Sequence, residues 1–279
     1  MQKIKVCLVG VLGRMGGEIS AELASRPEFN IVAGVDTDDA AVRKKEVEVA
    51  GSSHPAIPVF GVSRIEEALA EAEVYIGFSA AEAEMKNVRI AAGMGKKVIV
   101  GTTGFPPGEM EKLKAEVAAK VPAIISSNFS IGANLMFELA KVARLLPEGY
   151  DVSVFEAHHT KKKDAPSGTA HTIAQRIRES RPSYSKVLTH RPDGMPRAAG
   201  ELEVVAVRAG GIPGIHDIII AGPHEMIRIE HVAFSRRAFA SGVAEAARFL
   251  HSTAKPGLYD VAEALINLAP SGAGPESGG

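Results

Sequence analysis

The most constraining feature of this sequence is the alternation of short apolar segments with longer helical patterns over its first 130 residues. Segments rich in β-branched residues are predicted to be strands: KIKVCLV, NIVAGVD, AEVYIGF, KKVIVGT and PAIISS. The segments between them predict helices: GRMGGEISAELASR, AAEAEMKNVRIAAGMG and PGEMEKLKAEVAAK. Apolar strands in strict alternation with helices are typical of a parallel sheet covered on both faces. We therefore predict an α/β domain with a doubly wound, Rossmann-like parallel sheet.

The pattern changes near Ser130, which predicts a second domain. A long helix, GANLMFELAKVARLLP, is followed by the strand DVSVFEAHH, one helix after APSGTA, and the strands ELEVVAVRAG, HDIIIAG and EMIRIEHVAF. Strands in succession with few helices indicate an α+β domain with a mainly antiparallel sheet. The predicted boundaries are 1–129, completed by C-terminal helices at 241–269, for the first domain and 130–240 for the second. The small-residue segment 270–279 predicts a disordered tail.

A glycine-rich loop connects the first predicted strand to the first helix. Gly10, Gly13 and Gly16 form the pattern GxxGxxG, and glycine there lets a ligand approach the N–H groups and partial positive charge of a helix N-terminus. Asp36, at the end of the second strand, is placed to accept hydrogen bonds from an adenosine ribose. A tight turn beside a surface Asp is the alternative, but strand, loop, helix and acidic residue together favour a dinucleotide-binding domain.

The charges near Asp36 bear on the choice of dinucleotide. Asp36 and the TDD that follows would repel a 2′-phosphate, which predicts NADH as the preferred cofactor. Arg14 and the basic residues at 43–45 keep NADPH possible. Two further loops, GFSAA at 77–81 and GTTGF at 101–105, follow strands at their carboxyl ends, where such sheets bind ligands. Alone either loop could be simple turn chemistry, but with the glycine loop they outline one crevice.

The overall charge and composition exclude several classes of partner. Lys and Arg number 32 against 33 Asp and Glu, so a net charge of −1 gives no global attraction to nucleic acid or to an anionic membrane. The single cysteine, Cys7, lies in an apolar run, which favours a buried structural thiol and a reducing compartment. We find neither a signal-peptide pattern nor an apolar run long enough to cross a bilayer, and therefore expect a cytoplasmic protein with no membrane partner.

The segment FEAHHTKKKDAPSGTA, residues 155–170, concentrates positive charge beside a turn of small residues. A solvated charge run with Asp164 as helix cap is one interpretation. A metal site is not favoured, because adjacent histidines point apart and no Cys or carboxylate has ligand spacing. A nucleophilic Ser167 is not favoured either, because APSGT is not the GxSxG elbow. The arrangement suits an anion, since a helix start at Ser167 to Thr169 offers N–H groups and hydroxyls while His and Lys supply charge and protons.

The segment EAHHTKKKDAPSGTA resembles the signature of the 4-hydroxy-tetrahydrodipicolinate reductase (dihydrodipicolinate reductase) family of lysine and diaminopimelate biosynthesis. The similarity spans nearly the whole chain. It includes, in family order, GVLGRMG, GTTGF, SSNFSIGAN, VRAGGIPGIH, HVAFSRRAFASG and KPGLYD. Gly77 departs from the family pattern, which often has an acidic residue before the Phe of this loop.

The resemblance implies a role for individual residues. His158 would be the proton donor or acceptor, and Lys162, selected by the pattern HHxxK, the proton donor; Lys161 and Lys163 would be solvated or near phosphate. The substrate carboxylates would be held by His159, Ser167, Gly168, Thr169 and Arg236. The cofactor would be bound by Gly10, Val11, Leu12, Gly13, Arg14 and Met15 at the diphosphate, Asp36 at the ribose, Phe78, Gly101, Thr102 and Thr103 near the nicotinamide, and Ser126, Ser127, Asn128 and Phe129 along the cleft.

The implied reaction is the NADH- or NADPH-dependent reduction of 4-hydroxy-tetrahydrodipicolinate, a small cyclic dicarboxylate, to tetrahydrodipicolinate with loss of water. No metal is implied. The family is typically a homotetramer assembled through the sheet of the second domain, and LEVVAV and HDIIIAG are compatible with that or with a face covered by the domain's own helices. The alternatives are a related two-domain NAD(P)-dependent amino or keto acid dehydrogenase and a non-catalytic nucleotide-sensing protein.

Overall fold

The computed structural model describes residues 3–106 and 108–266. The chain divides into two compact units, one formed by Met1–Phe129 with Phe239–Gly279 and the other by Ser130–Ala238. The predicted tail at 270–279 and the end of the last predicted helix lie outside the described residues.

The strands and helices have the following bounds. The strands are β1 (Ile4–Val9), β2 (Phe29–Asp36), β3 (Glu46–Val47), β4 (Ile57–Gly61), β5 (Val74–Gly77), β6 (Lys97–Val100), β7 (Pro122–Ile125), β8 (Asp151–His158), β9 (Lys186–Leu188), β10 (Glu201–Arg208), β11 (Ile215–Ala221), β12 (Met226–Val232) and β13 (Gly257–Leu258). The α-helices are α1 (Arg14–Ala24), α2 (Asp38–Arg43), α3 (Ile65–Leu69), α4 (Ala81–Gly93), α5 (Glu109–Ala118), α6 (Ile131–Leu139), α7 (Gly168–Ser180), α8 (Arg237–Ser252) and α9 (Val261–Ile266), with 3-10 helices at Val62–Arg64 and Ala140–Leu145.

The first unit is built on a doubly wound sheet. Over the described residues its strand order is β13-β7-β6-β5-β1-β2-β4-β3, and every pair is parallel except β3 with β4. The chain winds in opposite directions from β1, whose neighbours are β2 and β5. The predicted Rossmann-like α/β fold is therefore confirmed.

Both faces of this sheet are buried, which explains the apolar strands. Along β1, Val6 and Leu8 contact one core cluster with α1 and α8, while Cys7 and Val9 contact the other with α3, α4 and α5. Side chains alternate along a strand, so a sheet covered on both faces needs apolar residues at successive positions. Burial raises the pKa of the Cys7 thiol to about 12, as expected for a structural cysteine.

Some short elements of the first unit are absent from the sequence-based assignment, namely β3, β4, β13, α2 and α3. Strand β4 contains Pro58, which lacks a backbone N–H donor and weakens the strand pattern. Pro58 lies next to the edge strand β3, where it pairs with Glu46. The three short strands are held by neighbouring strands, since β4 pairs with β2, β3 with β4 and β13 with β7.

The second unit has a five-stranded sheet over the described residues, in the order β12-β11-β8-β10-β9. Its longest ladders, β8 with β11 and β11 with β12, are antiparallel, whereas β10 pairs in parallel with β8 and β9. The expected α+β unit is confirmed, and its sheet is mixed with a mostly antiparallel character. Helices α6 and α7 pack on one face through a core that includes Met136, Val154 and Ile173.

The predicted helix over GANLMFELAKVARLLP is interrupted near its middle. The α-helix ends at Leu139, and the chain continues as the 3-10 helix Ala140–Leu145. The Arg181 guanidinium donates to the carbonyl oxygens of Ala143, Leu146 and Pro147 at the end of this segment. A 3-10 turn and an external donor both satisfy carbonyl groups that a helix end leaves unpaired.

Candidate active site

The glycine loop of the first unit is packed so closely that side chains are excluded. Gly10 has a φ of 82°, and a Cβ there would lie 2.4 Å from the carbonyl oxygen of Phe78. A Cβ on Gly16 would lie 2.1 Å from the carbonyl oxygen of Gly10. The loop therefore folds against itself and against the end of β5 in a way that only glycine permits at these positions.

Asp36 fastens this loop to the end of β2. Its Oδ2 accepts a hydrogen bond from the Leu12 N–H at 3.0 Å, and its Oδ1 accepts one from the Thr37 N–H at 2.9 Å. Each carboxylate oxygen can accept more than one hydrogen bond, so these contacts leave capacity for ligand hydroxyls. Asp36 thus has the position and chemistry expected of a ribose-binding residue.

A cleft of about 330 Å³ opens beside the loop and Asp36. Its walls include the predicted cofactor residues Gly10, Leu12, Gly13, Asp36 and Phe78, together with Val9, Val35, Thr37, Val62, Ser79, Ala80, Ala83 and Asn87. The other predicted cofactor residues are not among these walls. Arg14 is exposed on the first turn of α1, Met15 is half-buried, and Val11 is buried, with its side chain against Gly34.

The remaining predicted cofactor residues lie on the loops after β6 and β7. The Phe78 ring covers Gly101, where a Cβ would lie 2.1 Å from it, and stands 5.8 Å from the Phe129 ring, between centroids. Buried Thr102 bonds to Ser79, and Thr103 is exposed. The Ser126 hydroxyl donates to the Asn128 carbonyl at 2.9 Å, and Ser127 is exposed.

Two observations indicate that the glycine loop and the N-terminus of α1 fit a dinucleotide. The N-cap of α1 is Gly13, which has no side chain to accept from the first-turn N–H groups. These groups, with the positive end of the helix dipole, form a site suited to a diphosphate. The close packing of Gly10 and Gly16 brings the backbone rather than side chains to that site.

In the second unit, one buried carboxylate organises the basic segment. Glu156, fully buried on β8, forms a bidentate ion pair with Arg208: Nη1 donates to Oε2 at 2.9 Å and Nη2 to Oε1 at 2.7 Å. The Ser167 N–H donates to Oε1 at 3.0 Å, and Nδ1 of His158 bonds to Oε2. We call these four residues the Glu156 cluster. It joins the end of β8, the end of β10 and the start of α7.

The cluster fixes the protonation of its members. Burial by itself raises the pKa of Glu156, but hydrogen bonds from Arg208, His158 and Ser167 outweigh burial and hold the pKa below its ordinary value. Burial lowers the pKa of His158 against the opposing effect of Glu156, and the cations Lys162 and Arg208 lower it further. A carboxylate acceptor at Nδ1 places the His158 proton there, so the neutral ring presents Nε2 as an acceptor.

Two further histidine rings form a row with the ring of His158. The His216 ring meets His158 edge-on at 5.1 Å between centroids, and His231 stacks on His216 at 5.8 Å. Burial, with the neighbouring histidines, lowers the pKa of His216 to about 3, and burial lowers that of His231. The row is therefore neutral at physiological pH. Gly214 approaches the same site, since a Cβ there would lie 3.2 Å from His158 Nε2.

The interpretation of Asp164 as the helix cap is wrong. Ser167 caps α7, because its Oγ accepts from the Ala170 N–H at 3.2 Å. Asp164 instead pairs with Lys162, with 2.9 Å between Oδ2 and Nζ. The Lys162 side chain is only 24% exposed, and Lys161 and Lys163 are both exposed residues.

The other predicted substrate residues occupy different positions. Gly168 and Thr169 form the first turn of α7, and His159 follows the end of β8 with its Nδ1 buried and unpartnered among the described residues. Arg236 is exposed between β12 and α8. The described contacts do not connect Arg236 to the Glu156 cluster.

Four residues of this site were given no role by the sequence reasoning: Glu156, Arg208, His216 and His231. A signal was present for Glu156, an acidic residue between the apolar Phe155 and Ala157 and two positions before His158, hence on the same strand face as His158. Arg208 and His216 become neighbours through strand pairing, since Arg208 pairs with His158 and His216 with Glu156. The register of these pairs could not be derived from the sequence.

The described residues show neither a metal-binding group nor a membrane-spanning helix. Between residues 3 and 266, with 107 excepted, no group of three or more His, Cys, Asp or Glu side chains is arranged to hold a metal ion. Within the same part of the chain, no helix has both the length and the apolar character to cross a membrane.

Comparison with known proteins identifies relatives of the whole chain. The sequence profile described as "Dihydrodipicolinate reductase, N-terminus" matches residues 4–129, and "Dihydrodipicolinate reductase, C-terminus" matches residues 132–265. The 4-hydroxy-tetrahydrodipicolinate reductase of Methanoculleus marisnigri is 37% identical over 94% of this chain and 99% of its own length. That of Myxococcus xanthus is 36% identical over 94% of this chain and 97% of its own length.

Solved structures share the fold. A dipicolinate-bound dihydrodipicolinate reductase from Paenisporosarcina sp. TG-14 has a TM-score of 0.73 at 23% identity and covers 93% of this chain and 98% of that chain. A C. glutamicum DAP dehydrogenase in complex with DAP has a TM-score of 0.54 at 15% identity, with 94% of each chain covered. Both profiles and the full-length relatives agree with the resemblance drawn from the sequence motifs, and the chain belongs to the dihydrodipicolinate reductase family.

Proposed function

We propose that this chain catalyses the NAD(P)H-dependent reduction of 4-hydroxy-tetrahydrodipicolinate to tetrahydrodipicolinate with loss of water. Its family makes it a pyridine-nucleotide-dependent oxidoreductase of lysine and diaminopimelate biosynthesis. The observation that carries the proposal is the Glu156 cluster, in which one buried carboxylate holds His158 beside a helix N-terminus and next to a basic loop. This arrangement suits a reaction that binds an anion and moves a proton.

The cofactor would be held by the first unit. The first-turn N–H groups of α1 and the glycine loop would bind the diphosphate, and Asp36 would accept from the adenosine ribose. When bound, the reduced nicotinamide supplies a hydride to the substrate ring. NADH is the preferred cofactor in this proposal, because the Asp36 carboxylate and the acidic Asp38 and Asp39 after it oppose a 2′-phosphate. Exposed Arg14 and the exposed basic residues at 43–45 would favour NADPH.

The substrate carboxylates would bind at the start of α7. Gly168 and Thr169 form the first turn of α7, where the positive end of the helix dipole attracts an anion. His159 offers a buried Nδ1 that has no partner in the described part of the chain. Arg236 is assigned to the same role from the resemblance alone. A cyclic dicarboxylate accounts for a local concentration of positive charge on a protein of net charge −1.

His158 and Lys162 divide the proton chemistry in this proposal. The Lys162 ammonium is the donor, because its ion pair in the described part of the chain is with the exposed carboxylate of Asp164. His158 is held neutral with its proton on Nδ1, so its Nε2 accepts a proton or a hydrogen bond. Glu156 orients the ring and stabilises the imidazolium when His158 becomes protonated. Positive charge at Lys162 would also strengthen binding of an anionic substrate.

The test is an assay with freshly prepared 4-hydroxy-tetrahydrodipicolinate. Oxidation of NADH and of NADPH is followed for the wild type and for Lys162→Ala. We expect turnover by the wild type and a large loss in the variant. Absence of turnover with both cofactors, or an unaffected variant, contradicts the proposal. Turnover of an amino or keto acid instead would identify a related dehydrogenase, and nucleotide binding without turnover of either would identify a sensing protein.

We also propose a homotetramer formed through the sheet of the second unit. The face of this sheet away from α6 and α7 carries the exposed apolar residues Val205 and Val207 on β10. Apolar residues exposed side by side on a sheet are typical of protein interfaces. Light scattering coupled to size-exclusion chromatography gives the mass in solution, and Val205→Lys with Val207→Lys should lower it. A cytoplasmic location stays a prediction from the sequence.

A further inference from the structure

The first unit buries a carboxylate that has no role in the proposal above. Glu84, on the first turn of α4, is 0% exposed. No salt bridge among the described residues involves it. Burying a carboxyl group without a cation is costly unless hydrogen bonds compensate. A buried group of this kind close to a binding cleft is a candidate for a specific function.

Three donors converge on the Glu84 carboxylate. The Tyr75 hydroxyl donates to Oε2 at 2.6 Å, and the Ser79 hydroxyl donates to Oε1 at 2.6 Å. The Ser79 N–H also points to Oε1, at 3.2 Å. Burial, with the charge of Glu84, raises the pKa of Tyr75 well above its usual range, so the phenol keeps its proton and acts as the donor. Glu84 therefore fixes both the backbone and the side chain of Ser79.

Ser79, held by Glu84, is in turn hydrogen-bonded to a second loop. Its N–H lies 3.1 Å from the Thr102 Oγ1, and the Thr102 hydroxyl donates to the Ser79 carbonyl at 3.1 Å. Ser79 follows β5 and lines the cleft, while Thr102 follows β6. Glu84 thus holds together two loops at the carboxyl ends of adjacent parallel strands, the edge at which such sheets bind ligands.

Gly77 is the residue that makes room for this carboxylate. A Cβ on Gly77 would lie 2.3 Å from Glu84 Oε2 and 2.7 Å from Cε1 of the Tyr75 ring. A side chain at position 77 and the present position of Glu84 therefore exclude each other. The space beneath the loop that follows β5 holds one carboxylate, which is that of Glu84 on helix α4.

We propose that Glu84 is a positioning residue for the nicotinamide cofactor, which, from the space that Gly77 leaves open, fixes Ser79 at the cleft and, through Ser79, Thr102 on the neighbouring loop. This inference rests on the proposed cofactor site. Glu84 acts through Ser79, so it governs how well the loops are ordered before the nucleotide arrives. A loop already in its binding conformation costs less to order on binding, and the effect falls on cofactor affinity.

The first test is Glu84→Gln, which keeps the shape and replaces one acceptor oxygen with a donor NH₂ group. We expect about a tenfold higher dissociation constant for NADH, measured by its fluorescence, and a similar rise in its KM with a smaller change in kcat. Amide hydrogen exchange at Ser79 should become faster in the protein without nucleotide. The control is Glu82→Gln, an exposed glutamate in the same helical turn, which should leave all three values unchanged.

The second test moves the carboxylate from the helix to the strand. Gly77→Asp alone places two carboxyl groups in one buried space and should disrupt folding or NADH binding. Combined with Glu84→Ala, the same substitution should restore the NADH dissociation constant to within about threefold of the wild type. Restored folding without restored affinity, or failure of the double variant to fold, overturns the inference.

The outcomes separate this inference from the proposed function. A folded Glu84→Gln protein with unchanged NADH affinity, KM and Ser79 exchange overturns the role of Glu84 alone. Failure of the wild type to bind or oxidise NADH and NADPH overturns the proposed function. The exchange rate at Ser79 still reports on the Glu84 contacts in that case.

Discussion

Arg208 and Glu156 form a bidentate ion pair that buries the whole carboxylate, with donor–acceptor distances of 2.9 and 2.7 Å. Removal of Arg208 leaves the buried Glu156 charge without its bidentate partner, although His158 Nδ1 and the Ser167 N–H still bond to it. We expect Arg208→Met to lower the free energy of unfolding by about 3–5 kcal/mol, measured by chemical denaturation. Arg64→Met, which breaks an exposed pair with Glu67, should change it little. Equal losses of unfolding free energy for the two substitutions would show that the buried pair stabilises the fold no more than the exposed pair.

The buried histidine His216 predicts acid sensitivity. Its pKa is about 3 in the folded protein against an ordinary value of 6.5, so between these pH values the unfolded chain binds the additional proton. Stability therefore rises with pH in this window and is lost as the pH falls below about 6.5. His216→Gln should reduce the slope by up to about 1.4 kcal/mol per pH unit, measured from unfolding curves. An unchanged slope would mean that His216 is not the group responsible, and exposed His224→Gln serves as the control.

Substitutions of the three consecutive lysines are predicted to differ in their effect on catalytic activity. Lys162 is 24% exposed and pairs with Asp164, whereas Lys161 and Lys163 are exposed. Lys162→Ala should lower kcat/KM at least about 100-fold, because a positioned proton donor contributes that much or more. Lys163→Ala should keep most of the activity in the same steady-state assay. A larger loss of kcat/KM for Lys163→Ala than for Lys162→Ala would identify Lys163 as the proton donor.

The glycine loop offers a matched pair of substitutions on one helix. A Cβ on Gly16 would lie 2.1 Å from the Gly10 carbonyl oxygen, and a Cβ on Gly17 would meet no atom within 4 Å. Gly16→Ala should lower the free energy of unfolding by about 1–3 kcal/mol and weaken NADH binding. Gly17→Ala should raise it by about 0.5–1 kcal/mol, since alanine costs less backbone entropy in a helix. Thermal melts measure the stability of each variant, and NADH fluorescence titrations measure its NADH affinity. Weaker NADH binding by Gly17→Ala would argue against the assigned loop contacts.

Cofactor preference tests the role of Asp36. Asp36→Asn keeps an acceptor for the Leu12 N–H and removes the negative charge. We expect the ratio of kcat/KM for NADPH to that for NADH to rise about tenfold, equivalent to about 1.4 kcal/mol. Exposed Asp39→Asn on α2 is the control and should change the ratio less. A wild type that already prefers NADPH strongly would refute the role given to Asp36.

The sequence alone determined the fold class and the family. Apolar strands such as β1 alternate with helices, and this local pattern is sufficient to indicate a parallel sheet buried on both faces. The spacing of Gly10, Gly13 and Gly16 indicated the glycine loop, and in the structure a Cβ on Gly10 or Gly16 would collide with backbone atoms. The segment EAHHTKKKDAPSGTA was long enough to indicate the family, which the profile matches confirm.

Only the tertiary structure decided which residues surround these motifs. Arg208 joins Glu156 because β10 pairs with β8 in a register that brings Arg208 opposite His158, and packing across the whole sheet sets that register. Gly77 and Glu84 lie on different elements, so the sequence showed a missing side chain but not the carboxylate that fills its space. Periodicity along the chain reports which face a side chain occupies, whereas its partner depends on contacts between distant segments.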